Sequence, residues 1–300
     1  MSTFTGFAVN VDVDSLGLYY GIHGLNQVPG EAAWELGVPR FLDLFSHLGL
    51  RATFFVVAKD LEREIPLRVA QEVVAAGHEL ASHSYSHPYD LIQQSDAEIE
   101  AQIAKSEEII GGVRGTRLVG FRAPGYNTNE SVAQILVRRG YRYDSSLFPC
   151  PPYYLTRAAI LGAMSLIGKQ SASIVGDVGA AFSNPLPHIQ EVGDGALLEF
   201  PISVVPGIRF PIIGTALTLL GQTGIRLLIP ALRRMPFINL EFHALDLLDN
   251  DDPIHPSLIR RQRDLRTRVE TKREIFSRVL KVCNEQNNND TLEGFSADRG

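Results

Sequence analysis

The stretch His78-Glu79-Leu80-Ala81-Ser82, followed by His83-Ser84-Tyr85-Ser86-His87 and closed by Pro88, places two imidazoles four residues apart. That spacing, at a point where an extended segment turns helical, lets both rings converge on one divalent ion, which zinc binds through nitrogen at about 2.0–2.1 Å. Two ligands do not hold zinc, so a third is required. In a chain with eight histidines, H-x-x-x-H also arises by chance. The reading therefore depends on what stands elsewhere in the sequence.

The composition bounds the possibilities. At 300 residues the chain exceeds a typical domain, but barrels of alternating strands and helices reach this size undivided, and one core spanning 1–300 is expected. Hydrophobic content of 45%, charged content of 21% and a mean hydropathy of +0.01 fit a soluble globular protein. A net charge of −6 argues against nucleic acid as a partner, since binding phosphates requires a basic face. Cys150 and Cys283 stand far apart and outside any C-x-x-C pattern, so neither a disulfide framework nor a thiolate metal site is indicated. A reducing, cytoplasmic location is expected, because Met1 to Gly6 has neither a basic region nor a continuous apolar stretch.

Short apolar runs at 7–11, 51–57, 78–82, 118–121, 142–146, 196–201 and 237–242 alternate with helical patterns at 31–48, 61–77, 96–111 and 129–140, ending in a long charged helix at 257–286. This exchange predicts consecutive strand-helix units around a parallel sheet. Residues 15–30 read as an irregular loop, and only the last dozen residues look loose. Two proline- and glycine-broken apolar insertions, about 148–195 and 204–236, interrupt the rhythm without the roughly 18 uninterrupted apolar residues of a membrane span.

Polar motifs fall at strand exits. The first strand stops at Asp12-Val13-Asp14, and alternation sends both acids to one face; an acidic turn capping the next helix is the alternative. Arg122-Ala123-Pro124-Gly125-Tyr126 follows the fourth strand, and His243 follows the last. If the strands curl into a barrel, Asp12, Asp14, His83, His87, Arg122 and His243 emerge together at its carboxyl-terminal rim, where barrel enzymes place their chemistry. Glu98, Glu100, Glu107 and Glu108 read as a solvated face, Glu199 and Glu241 as structural, and His23, His47, His78, His188 and His255 as residues without partner spacing.

With these motifs in this order the chain resembles the polysaccharide deacetylase family, metal-dependent carbohydrate esterases with a deformed (β/α) barrel of about seven parallel strands. His83-Ser84-Tyr85-Ser86-His87 matches that family's H-[ST]-x-x-H and Arg122-Ala123-Pro124-Gly125-Tyr126 its R-x-P-x-Y, while Asp12 and Asp14 stand where its aspartate pair stands, although the common pattern has them adjacent. The D-x-D spacing is similar to that of a subgroup including a peptidoglycan-deacetylase-like protein and relatives acting on cyclic amides or lipid-linked sugars. The resemblance implies a hydrolase of carbon–nitrogen bonds other than peptide bonds. In it Asp14, His83 and His87 hold a divalent metal, zinc first with cobalt, manganese or nickel as alternatives. It makes Asp12 the base, Arg122 its orienting partner and His243 the acid; on the residues alone, Asp246 or Asp144 is either a companion to His243 or an idle acid. Pro124 and Tyr126 then lie at the substrate, a backbone N–H near Tyr126 serving the oxyanion. The implied substrate is an N-acylated amino sugar or glycan, with acetyl as the first acyl group. The readings left open beside it are a cyclic imide or ureide, deformylation of a lipid-linked sugar with peripheral contact at the inner membrane, a homo-oligomer contact through the apolar insertions, and a sugar-binding barrel without turnover.

Overall fold

The computed structural model describes residues 4–26, 30–166, 168, 171 and 173–297. The initiating residues 1–3, part of the expected loop at 27–29 and part of the first insertion therefore lie outside the described residues.

Eight strands form one sheet: β1 (Gly6–Val13), β2 (Thr53–Val56), β3 (Glu79–Ser82), β4 (Gly120–Phe121), β5 (Tyr143–Asp144), β6 (His188–Val192), β7 (Gly195–Glu199) and β8 (Phe237–His243). Their order is β6-β7-β5-β4-β3-β2-β1-β8, and only β6 runs antiparallel, so the seven others form the parallel curl expected of a deformed (β/α) barrel. All eight residues of β1 are buried, as a strand covered on both faces requires. Between β7 and β8 no regular ladder closes the curl; the segment after β7 does so, with the Ser203 N–H donating to the Asn239 carbonyl at 3.0 Å and a bridge joining Ile213 to Glu241. The helices are α1 (Leu16–Ile22), α2 (Val38–Leu48), α3 (Glu64–Ala75), α4 (Asp96–Arg114), α5 (Glu130–Arg138), α6 (Pro151–Leu166), α7 (Gly214–Leu232), α8 (Pro256–Ile259), α9 (Val269–Gln286) and α10 (Leu292–Ala297).

Several elements depart from expectation for identifiable reasons. The supposed loop at 15–30 contains α1, whose Leu16, Tyr19 and Tyr20 are buried. The expected helix over 31–48 begins as a wide π-helical turn at Ala33–Gly37, because Pro39 has no N–H to continue a normal ladder. Here Gly37 lets the chain lie against the Ala244 carbonyl, which a Cβ would approach to 2.3 Å. The single helix over 257–286 is instead α8, a 3₁₀ turn at Arg263–Arg266 and α9. Arg260, Arg263 and Arg266 at three-residue spacing would stack like charges on a continuous helix. The first insertion contributes α6 and the β6 strand of a hairpin, which its mixed composition did not reveal. In the second, α7 is, among the described helices, the one with the length and composition of a span, yet Gly221 breaks it and Leu217, Ile225, Leu228 and Leu232 face the interior.

The carboxyl terminus, expected loose, closes the bottom of the barrel. Leu292 is fully buried, its N–H donates to Thr53 Oγ1 at 3.0 Å, and the Glu293 N–H donates to Glu79 Oε2 at 2.9 Å. The same buried Glu79 carboxylate accepts from Thr53 and Tyr143 hydroxyls, each at 2.7 Å. Burial lifts its pKa to about 7. Replacing Glu79 with Ala would leave these donors without their acceptor, at about 1–3 kcal/mol for each buried group left unpaired. Urea unfolding is expected to show a loss at least that large, with the same slope against denaturant.

Candidate active site

The parallel register assembles the rim. Asp12 on β1 pairs with Phe55 on one side and with His243 on the other, so the two ends of the chain's motif set are strand neighbours. Asp14 follows β1 directly, His83 follows β3, and Arg122 follows β4.

The loop carrying both histidines is not the start of a helix. Residues 83–90 are irregular, with Ser84 at φ 65° and His87 at φ 57°, left-handed backbone that non-glycine residues adopt at a cost of order 1–3 kcal/mol and that clusters at functional sites. The Ser84 hydroxyl accepts the His87 N–H at 3.0 Å and fixes the bend. His83 Nε2 and His87 Nε2 then lie 3.6 and 3.5 Å from Asp14 Oδ1, with ring centroids 4.7 Å apart. The Arg122 carbonyl, at 2.7 Å, accepts from His83 Nδ1, so in the neutral ring the bare nitrogen is Nε2, on the Asp14 side. Burial lowers His83 to about 4 and His87 to about 3, leaving both rings neutral near pH 7. Asp14 is raised by burial, opposed by His83 and His243. Its Oδ1 is buried and accepts no hydrogen bond. Two neutral imidazoles and an orphaned carboxylate oxygen, with ligand atoms within 4.8 Å of one another, are a donor set that fits a divalent cation with positions left open.

Asp12 is held differently. Arg122, with no exposure, donates Nη1 to Asp12 Oδ1 at 2.6 Å, Nη2 to Asn10 Oδ1 and Ser145 Oγ at 2.8 and 2.7 Å, and Nε to the Ser145 carbonyl at 2.8 Å, while its guanidinium lies 4.1 Å over the Phe55 ring. Burial pushes the Asp12 carboxyl up, but Arg122, His83 and His243 outweigh it and its pKa falls below the usual value. The other oxygen, Oδ2, stands 3.8 Å from His83 Nε2, facing the Asp14 side of that ring.

The last strand brings a residue that the sequence reading left as structural. Glu241 is fully buried, its Oε1 lies 3.7 Å from His243 Nε2 and accepts from the Tyr126 hydroxyl, and its Oε2 has no hydrogen-bond partner. The two-residue step from Glu241 to His243 was the available signal, the same one that linked Asp12 and Asp14. Burial pulls the His243 pKa down, but Glu241, Asp12, Asp14 and Asp246 hold it at about 9. Asp246 accepts the His243 backbone N–H at 2.8 Å rather than its ring, and Asp144 bonds Ser146 Oγ at 2.5 Å, so Glu241 is the ring's carboxylate neighbour. The Tyr126 N–H, considered for the oxyanion, donates to the Ala123 carbonyl at 3.0 Å within its own turn. Pro124, within that turn, is buried and is not among the residues lining the cleft.

These groups open into a cleft of about 400 Å³. Beyond Asp12, Asp14, His83, His87 and His243 it is walled by Tyr19, Tyr89, Tyr126 and Tyr153, by Arg157, Ile160 and Leu161 of α6, and by His23, which the sequence reading set aside. Tyr89 packs edge-on against His87 at 4.6 Å. His78, in contrast, is structural: it sits against Phe45 and Phe54 and accepts the Ala52 N–H at 3.1 Å.

Residues 31–143, which include His83, His87 and Arg122, match the family model for polysaccharide deacetylases. That segment is similar to polysaccharide deacetylase domains. The chain is 32% identical over 155 residues to a peptidoglycan deacetylase of Helicobacter pylori, covering 49% of this chain and 52% of that protein, so the chain spans about half the length of this relative. Two solved structures share the fold along nearly the whole chain. A Mycobacterium smegmatis protein assigned to the polysaccharide deacetylases gives a TM-score of 0.62 at 19% identity, covering 99% of this chain and 91% of its own. An allantoinase gives 0.60 at 14% identity, covering 97% and 88%. At such identities the likeness concerns architecture alone, and Asp12, Asp14 and His243 lie outside the matched 31–143 segment.

Protein dialysed against zinc is expected to retain one ion per chain by elemental analysis, with His83→Ala and Asp14→Ala reducing this below one half. Asp12→Asn, whose side chain is committed to Arg122, is expected to keep it.

Proposed function

We propose that this protein is a hydrolase that removes an N-acyl group, acetyl foremost, from an amino sugar of a glycan. One observation carries the reading: a second carboxylate, Asp12, presents a free oxygen 3.8 Å from the same His83 nitrogen that lies 3.6 Å from Asp14. A metal triple alone would bind an ion; a separately anchored base beside it suits hydrolysis. The family match and the Helicobacter pylori relative, named as a peptidoglycan deacetylase, support a deacetylase over an imide or ureide hydrolase.

A divalent cation, zinc in the first instance, held by Asp14, His83 and His87 would supply Lewis acidity toward the acyl carbonyl and toward water. The chain's own groups do the rest. Asp12, kept ionised and aimed by Arg122, accepts the proton of the attacking water through Oδ2. His243, protonated near neutrality beside Glu241, gives its proton to the departing nitrogen, without which an amine leaves poorly. The tyrosines around the cleft offer flat apolar faces and hydroxyls to a sugar ring. Acetate release from N-acetylated glycan fragments should therefore require added metal and stop with a chelator. Asp12→Asn and His243→Ala should each lower kcat by about 10²- to 10⁴-fold. Metal-loaded protein that binds these fragments but releases nothing would instead make the barrel a sugar-binding module.

A specific observation favours a lipid-linked form of that substrate. Helix α6 has a single charged residue, and its solvent side carries Leu155, Ile160 and Leu166, with Leu166 89% exposed. An apolar face exposed in this way marks a candidate interaction surface. Ile160 also lines the cleft, so the apolar lip begins at the substrate's own entrance. A peripheral position at the cytoplasmic face of a membrane goes with this form; a second copy of the chain is the competing cover. Flotation with phospholipid vesicles is expected to carry the protein upward, and Leu155→Glu combined with Leu166→Glu to abolish it. Dimerisation lost in the same double variant, with no flotation of the parent, would decide for the second copy.

A further inference from the structure

The first insertion places a cation in the wall of the cleft without an anion to match it. Arg157 of α6 is 8% exposed, and its contacts are all neutral. Nη1 donates to the Gly125 carbonyl at 2.8 Å and to the Tyr153 hydroxyl at 3.0 Å, while Nε and Nη2 both reach Ser173 Oγ, at 3.0 and 2.7 Å. A guanidinium carries five N–H donors, so one Nη2 proton is left uncommitted. Among the described residues no carboxylate lies within 4.0 Å of it, and Asp177 of the same insertion uses its carboxylate to accept the Gly179 N–H at 2.8 Å. The other deeply buried cations are matched: Arg122 by Asp12, and Lys272 by the surrounding Asp264, Asp246, Asp249 and Asp252.

Removing a charge from water without a counter-charge is unfavourable by several kcal/mol, and proteins seldom retain one unless something supplies the partner. Arg157 lines the same cleft as the Asp12–Asp14–His83–His87 group. It stands one ring away from the metal-binding loop. A Cβ on Gly125 would meet Arg157 Nη2 and Tyr89 Cδ1, both at 2.9 Å, and Tyr89 packs on His87.

Resting on the deacetylase reading, we propose that Arg157 is an anion subsite, and that the substrate bears a carboxylate or phosphate besides the N-acyl group that is cleaved. The one free Nη2 proton can donate to either anion in a charge-assisted hydrogen bond, and the neutral contacts orient the guanidinium without consuming its charge.

The test uses the full-length, zinc-loaded protein with three probes: N-acetylglucosamine, its 6-phosphate, and the corresponding uronic acid. Each is measured for deacetylation and, separately, for binding by calorimetry. An anionic probe is expected to bind about 10- to 100-fold more tightly than the neutral sugar, with the phosphate and the uronic acid showing which anion is taken. R157Q is expected to collapse that ratio, and R157K to restore it in part. Equal binding of neutral and anionic sugars by the parent protein, or a ratio unchanged in R157Q, overturns the inference. So does R157Q weakening all three probes alike together with a lowered melting temperature, since Arg157 would then be a brace for α6. Selective anion binding with no acetate released from any probe or from N-acetylated glycan fragments would uphold the subsite while removing the deacetylase reading.

Discussion

Arg122 is a fully buried cation at the barrel's centre, and the rim is arranged around its need for partners. Its guanidinium ties Asn10 and Asp12 of β1 to Ser145 beyond β5, and its carbonyl orients His83 after β3. One residue thus fixes both the ionised state of Asp12, the proposed base, and the tautomer of a candidate ligand. Breaking a buried pair of this kind exposes the remaining charge to a medium that cannot solvate it, so the two halves of the site are held together by a single desolvation constraint.

The network extends to where the sheet fails to close. Asn10 donates to Asn239 Oδ1 at 2.7 Å, and the Asn239 amide donates to the Phe200 carbonyl at 2.8 Å, in the stretch that replaces a regular ladder between β7 and β8. Side-chain amides here do what backbone pairing does elsewhere in the curl. The deformation of the barrel and the polar lining beneath its rim are therefore one feature, because an unladdered seam leaves backbone groups that only buried polar side chains can satisfy.

Much of this was legible in residue order. Acids two apart at a strand exit, imidazoles four apart after the third strand and an arginine after the fourth could only meet if the strands were parallel, and they do meet. What remained hidden was set by long-range packing. Glu241 carried the same two-residue signature as Asp12 and Asp14, but it lay within an apolar strand and could equally have been a structural acid; only the depth of its burial beside His243 distinguishes it. The terminal helix α10 looked loose because its docking depends on Glu79 and Thr53, more than 200 positions earlier. The insertions have no strand-helix periodicity, so α6 as a wall of the cleft, with Arg157 in it, had no local signature.

The glycine at position 125 has a consequence for how this barrel can diversify. Its backbone, at φ 59°, is wedged between a side chain from the insertion and one from the histidine-bearing loop, with no room for even a methyl group. Peripheral loops of barrels usually vary independently of the residues beneath them. Here a graft that exchanged the insertion for a relative's would also reset the neighbour of Tyr89, so new selectivity at the mouth and the alignment of the reacting groups would have to evolve in concert.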